Sequence, residues 1–114
     1  MRVIAGAARG ILLKTPEGLR TRPTAERVKE GLFSAIQFEI PGARVLDLFA
    51  GTGQLGIEAL SRGAKSSVFV DAGSEACRLV RENLQRTGLT SQAQVVQADY
   101  LQFLARCQGP FDII

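Results

Sequence analysis

No histidine occurs in this 114-residue chain, which removes Ser-His and Cys-His nucleophilic chemistry and the commonest zinc sites. Only two cysteines are present, Cys77 and Cys107. Both fall in segments that read as helical and neither has a neighbouring Cys to make a metal site, so core packing is their expected role. No apolar run approaches the roughly 18 residues that span a bilayer. The start, Met1-Arg2-Val3-Ile4, lacks the charged region, apolar stretch and small-residue cleavage site of a signal peptide, and a cytoplasmic location is the default expectation. Internal repeats, low-complexity tracts and flexible linkers are also missing. What remains is ordinary for one globular domain at most, 46% hydrophobic and 22% charged.

Charge is unevenly placed. Residues 1–30 carry seven basic side chains (Arg2, Arg9, Lys14, Arg20, Arg22, Arg27, Lys29) against three acidic ones (Glu17, Glu26, Glu30), whereas the remainder holds seven basic against eight acidic. The whole surplus of +3 therefore lies at the front of the chain. Such a segment suits a phosphate-bearing partner, most simply RNA or DNA, although a solvated basic face with no partner has the same composition.

The most informative stretch is Val45-Leu46-Asp47-Leu48-Phe49-Ala50-Gly51-Thr52-Gly53-Gln54-Leu55-Gly56. It reads as an apolar strand carrying one carboxylate, a glycine turn and a helix start. Gly51 and Gly53 allow positive φ and close approach of a ligand to the main chain, and Gly56 lets the helix pack near the strand. Gly-x-Gly-x-x-Gly alone is weak and also describes a tight turn with no ligand. Here an amphipathic segment follows, with Leu55, Ala59 and Leu60 on one face and Glu58 and Arg62 on the other. About 20 residues further on, Val68-Phe69-Val70-Asp71 ends a second apolar run in an acid, where a carboxylate can accept ribose hydroxyls.

Around this unit the pattern predicts a small β-hairpin of short strands at Val3–Ala5 and Ile11–Leu13, a turn at Thr15-Pro16-Glu17-Gly18, and a helix capped by Thr24. That helix has Val28, Leu32, Ala35 and Ile36 as its apolar face and is stopped by Pro41-Gly42. Strands follow at Arg44–Phe49, Ser67–Asp71 and Ala93–Gln97. Between and after them come a helix to Arg62, a helix from Ser74 to Thr87 ended by Gly88, and one through Cys107. Phe111-Asp112-Ile113-Ile114 begins a fourth strand. Such alternation predicts an α/β doubly wound, mostly parallel sheet with helices on both faces. Asp99 is then a third carboxylate just past a strand end, and Asp47, Asp71 and Asp99 should meet at the carboxyl edge of the sheet. Taken singly, each is as well explained as a helix cap or turn former.

These residues resemble a known family. Asp47-Leu48-Phe49-Ala50-Gly51-Thr52-Gly53, Val70-Asp71 and Ala98-Asp99 look like successive motifs of S-adenosylmethionine-dependent methyltransferases. Arg2-Val3-Ile4-Ala5-Gly6, Arg9-Gly10, Thr21-Arg22-Pro23-Thr24, Arg27-Val28-Lys29-Glu30 and Leu32-Phe33 are similar to the RsmD-type family, which methylates the exocyclic N2 of a guanine in small-subunit (16S) ribosomal RNA. The resemblance implies a Rossmann-like class I methyltransferase fold with a basic N-terminal extension for RNA over residues 1–23 and the front part of the cofactor domain over 24–114. It also implies S-adenosyl-L-methionine as cofactor, held by Asp47, Phe49, Gly51 and Gly53, with Asp71 on the ribose hydroxyls and Asp99 facing the adenine amino group. Tyr100 is assigned an adenine-side or helix-start role. Arg9, Arg20, Arg22, Arg27 and Lys29 are the candidates for phosphates of ribosomal RNA or the small ribosomal subunit. No membrane and no metal are expected.

In that family a strand like Phe111-Asp112-Ile113-Ile114 runs into an Asp/Asn-Pro-Pro-aromatic motif, expected after Ile114, which supplies acceptors for the amine hydrogens and an aromatic for the base. No residue of the chain replaces it, so no catalytic residue is assigned here and the chain is expected to be a marginally stable, inactive part of a longer enzyme. The alternatives are a methyltransferase on another RNA or DNA amine, a non-catalytic cofactor- or RNA-binding module and, more distantly, a dinucleotide-binding oxidoreductase.

Overall fold

A computed structural model of the chain describes residues 1–16, 23–107 and 109–114. Three strands, β1 (Arg44–Asp47), β2 (Ser66–Asp71) and β3 (Ala93–Gln97), pair in parallel in the order β1-β2-β3. In register, Asp47 lies opposite Phe69, and Asp71 opposite Gln97. The final segment joins on the other edge of β1, where Val45 bridges Ile113 in parallel and Leu46 N–H donates to the Ile113 carbonyl at 2.9 Å. The strand order therefore reverses at β1, the point of a doubly wound sheet where ligands bind beyond the strand ends.

Helices α1 (Pro23–Ala35), α2 (Gln54–Ser61), α3 (Ser74–Thr87) and α4 (Tyr100–Arg106) connect or precede the strands, with a 3-10 turn at Thr90–Gln92. Local chemistry sets several of the bounds: Gly53 opens α2 in the left-handed region, Gly88 closes α3 in the same region, and the Asp99 carboxylate caps α4 by accepting from Leu101 N–H at 2.9 Å. Helix α3 and strand β3 have the residues their periodicity predicts. Strand β1 is shorter, because Leu48 and Phe49 already belong to the turn, and α4 ends one residue before Cys107.

Phe69 is fully buried in the middle of the sheet. A methyl group at Gly56 would lie 2.4 Å from its ring and 2.8 Å from Ser67 Oγ, so this glycine serves contact rather than backbone freedom. Gly56→Ala is expected to cost about 2 kcal/mol, read as a lowered urea midpoint with an unchanged m-value.

The N-terminal segment shares this core: Met1, Val3, Ala8 and Leu13 are buried in one cluster with Ile57, Leu60 and Phe69. Among the described residues one antiparallel bridge, Arg2 to Leu12, forms where a two-stranded hairpin is expected. The intervening backbone bonds to α2 instead. Ile4 N–H and Ala5 N–H donate to the two Glu58 oxygens at 2.9 and 3.1 Å, Ala7 N–H to the Ser61 carbonyl at 2.8 Å, and Ala8 N–H to Ser61 Oγ at 2.9 Å. Glu17 and Gly18 of the predicted turn lie outside the described residues.

Two helix faces differ from expectation for the same reason. In α1, Val28 and Leu32 are 69% and 48% exposed and Ala35 faces solvent, while Lys29 and Phe33 are buried. In α2, Leu55 is exposed and Glu58 is 0% exposed. Lys29 Nζ sits 3.3 Å from Glu58 Oε1, Arg62 Nε 2.9 Å from Glu58 Oε2, and the Arg62 guanidinium lies 5.0 Å above the Phe33 ring. The two helices meet through this charge cluster, so the stripe of α1 that faces inward is rotated away from its apolar residues. Helix α1 also starts at Pro23, which puts Thr24 inside the first turn rather than at the cap. It ends at Ala35, ahead of Pro41-Gly42, because a turn at Ile36–Glu39 intervenes.

Candidate ligand site at the strand tips

Four segments meet at the carboxyl edge of the sheet. The glycine turn after β1 is folded on itself, Gly53 N–H donating to the Ala50 carbonyl at 2.8 Å, and is tied to β2, Ala50 N–H donating to the Val70 carbonyl at 3.0 Å. Gly51 and Gly53 have φ of 59° and 83°, which a side chain would strain. Asp71, at the end of β2, accepts Gly51 N–H at 3.0 Å on one oxygen and Gly73 N–H at 2.9 Å on the other. Each oxygen keeps a free lone pair for a further donor. The bond to Gly51 is what joins the second acidic position to the glycine turn.

Asp47, half-buried at the tip of β1, accepts Gly56 N–H from the first turn of α2 at 3.2 Å. Burial pushes its carboxyl above the usual range and the neighbouring Asp71 charge adds to this, against the opposing bond from Gly56. Among the described residues no basic side chain pairs with Asp47, and Gln54 Oε1, at the first residue of α2, is shielded from solvent with no donor. An unpaired, desolvated carboxylate and an orphaned acceptor beside a glycine turn suit a ligand bearing positive charge and donor hydrogens.

Asp99 is exposed, and its carboxylate is engaged as the cap of α4. The tips of β1 and β3 are nevertheless linked across β2, since the rings of Phe49 and Tyr100 stand 5.2 Å apart at 50°. Phe49 is 72% exposed, a large aromatic surface left open at the edge where the acids lie. The structure thus bonds Gly51 to Asp71 directly and ties Asp47 to the start of α2 through Gly56, with the Phe49 and Tyr100 rings in contact beside them.

A cavity of about 260 Å³ borders Asp47 on the side of the strand reversal, lined by Leu32, Ile36, Leu55, Ala59 and Ile114 among others. Its apolar walls come from residues that the amphipathic reading assigned to the core.

Of the basic candidates, Arg9 and Arg27 are exposed, and Arg9 lines one cleft with Glu30 of α1. Arg20 and Arg22 lie outside the described residues. Lys29 is corrected: its ammonium is buried against Glu58 and donates to the Arg2 carbonyl at 2.8 Å, so it cannot reach a phosphate. Burial lowers its pKa while Glu58 acts the other way. Cys77 is buried in α3, Cys107 is half-buried just past α4, and no metal-binding cluster occurs among the described residues. Among the described residues no helix is long and apolar enough to cross a membrane.

Residues 1–114 match the family model described as conserved hypothetical protein 95. A Bacillus subtilis protein, YlbH, is 50% identical over 99 residues, covering 87% of this chain and 54% of that protein. The ribosomal RNA small subunit methyltransferase D of Haemophilus influenzae is 39% identical over 117 residues, covering 100% of this chain and 61% of its own length. A solved structure of a Thermus thermophilus protein superposes with a TM-score of 0.79 at 40% identity, over 93% of this chain and 60% of that one. The chain thus spans between half and two thirds of the length of these relatives.

Proposed function

The chain belongs to this family of RsmD-type methyltransferases and carries the class I methyltransferase fold, and from that premise we propose that the protein transfers a methyl group from S-adenosylmethionine to the exocyclic N2 of a guanine in small-subunit ribosomal RNA, with residues 1–114 holding the cofactor. The observation that carries this reading is Asp47, a half-buried acid without a basic partner among the described residues, set against the glycine turn where the strand order reverses.

When bound, the cofactor supplies an electrophilic methyl on a sulfonium. Asp47 would face the methionine part, whose ammonium S-adenosylhomocysteine also carries, and the Gly51-Thr52-Gly53 turn would let the backbone approach it. Asp71 accepts from the ribose hydroxyls on the lone pairs its backbone donors leave free. Phe49 and Tyr100 border the adenine, with Asp99 serving the adenine side from its position at the head of α4. Arg9, Arg20, Arg22 and Arg27 neutralise RNA phosphates, positioning the strand without reading its sequence. Drawing on the hydrogens of the guanine amine needs acceptors, and the base needs an aromatic surface once out of its stack. Residues 1–114 are not assigned that work, and by themselves they bind cofactor and transfer no methyl.

Calorimetric titration of residues 1–114 tests the reading. Binding of S-adenosylhomocysteine and no binding of NADH is expected. The reverse preference would make the cofactor assignment wrong. Incubation with labelled S-adenosylmethionine and either ribosomal RNA or duplex DNA should leave both unlabelled; label in ribosomal RNA would refute the inactivity of this part, and label in DNA the substrate class.

A further inference from the structure

We propose that Asn83 is a positioning residue for the glycine turn, fixing it from below and in register with the N-terminal segment Leu12–Lys14. The ligand involved rests on the reading just given, but the role in holding the turn does not.

Asn83 lies on the inward face of α3 and is 0% exposed. Both hydrogens of its amide are used, one donated to the Thr52 carbonyl and one to the Lys14 carbonyl, each at 2.9 Å, and its oxygen accepts Lys14 N–H at 2.6 Å. The residues around it on α3, Cys77, Val80 and Leu84, are buried and apolar, so packing alone would be met by leucine. A buried amide costs free energy unless satisfied, and here its partners are backbone groups of two other segments. Thr52 is the middle residue of the turn. Its neighbours Gly51 and Gly53 are held by Asp71 and Ala50, whereas its carbonyl is held by Asn83.

The rest of α3 supports the same reading. One turn earlier, the Val80 methyls stand 3.2 and 3.3 Å from where a Gly53 side chain would begin. On either side of Asn83, Glu82 pairs with Lys14 Nζ at 3.2 Å and Arg86 Nε donates to the Leu12 carbonyl at 2.9 Å. Helix α3 therefore grips Leu12–Lys14 with three side chains, and only the middle one extends to the turn.

The test compares Asn83→Asp, Asn83→Ser and, as a control, Ser61→Ala, which loosens the N-terminal segment at α2 without touching Thr52. Asn83→Asp keeps the size but sets a carboxylate against two carbonyl oxygens; Asn83→Ser removes the donors without adding charge and carries the test if the aspartate variant does not fold. Both Asn83 variants are expected to weaken S-adenosylhomocysteine binding about tenfold, with the aspartate variant recovering in part as pH falls and its neutral acid regains a donor hydrogen. Ser61→Ala, at a similar loss of urea midpoint, should leave affinity within about twofold. Affinity that follows stability alike in all three variants would overturn the proposal. Amide hydrogen exchange at Gly51–Gly53 is measured in parallel and should speed up in the Asn83 variants more than exchange in β2. Unaltered protection of the turn would overturn the proposal even if no ligand binds, while failure of the unaltered protein to bind S-adenosylhomocysteine would count against the cofactor reading alone.

Discussion

Glu58→Ala is expected to lose about 3–5 kcal/mol of stability, a large share of the roughly 5–15 kcal/mol that holds a domain folded. The side chain accepts from four donors: Ile4 N–H, Ala5 N–H, Lys29 Nζ and Arg62 Nε. Its removal strands an ammonium that is 2% exposed and frees the N-terminal segment from α2. Urea unfolding followed by circular dichroism checks this, and a loss below about 1 kcal/mol would show that water or a rearranged Lys29 replaces the carboxylate. Adding Lys29→Met to Glu58→Ala should recover only part of the loss, because it removes the stranded ammonium but leaves Ile4 N–H, Ala5 N–H and Arg62 without their acceptor.

The second large effect separates stability from binding. Asp47→Asn is expected to weaken S-adenosylhomocysteine affinity roughly a hundredfold, the scale of a lost charge-assisted hydrogen bond, while making the unliganded chain more stable. Asparagine keeps an acceptor for Gly56 N–H but no longer places a charge in a half-buried site beside Asp71. The pH dependence fixes the sign. Because the folded-state pKa of Asp47 is raised, its contribution is most favourable below the unfolded value of about 3.9 and declines as pH rises through the folded value. The advantage of Asp47→Asn should therefore be present at neutral pH and vanish in acid. Equal affinity of the two proteins would remove Asp47 from the site, and equal stability profiles would mean its charge is solvated.

Legibility in the sequence followed how local the determining physics is. Helix α3 is set by a regular apolar period and a terminal glycine, both within 15 residues of one another, and strand β3 by a short apolar run. The acids of β1 and β2 sit at strand ends, so parallel pairing alone carries Asp47 and Asp71 to one edge, and Gly51 binds Asp71 as a result. The inward faces of helices α1 and α2 depart from the pattern because the patterning rule sends charges outward, whereas Lys29 and Glu58 satisfy each other inside. Neither residue alone betrays that pairing, which needs a partner 29 positions away. Asp99 shows the opposite lesson: the plain reading of an acid before a helix, a cap, describes its geometry. Asn83 had no sequence signature, since its partners are main-chain atoms whose positions depend on the finished fold.

The contact between Phe49 and Tyr100 has a spectroscopic consequence. Tyr100 is the sole tyrosine and tryptophan is absent, so ultraviolet emission excited at the tyrosine band originates from a single point at the carboxyl edge of the sheet, 5.2 Å from an exposed phenylalanine ring. The molecule carries its own label beside the crevice, and quenching or polarisation of that light reports on events there without any dye or engineered chromophore.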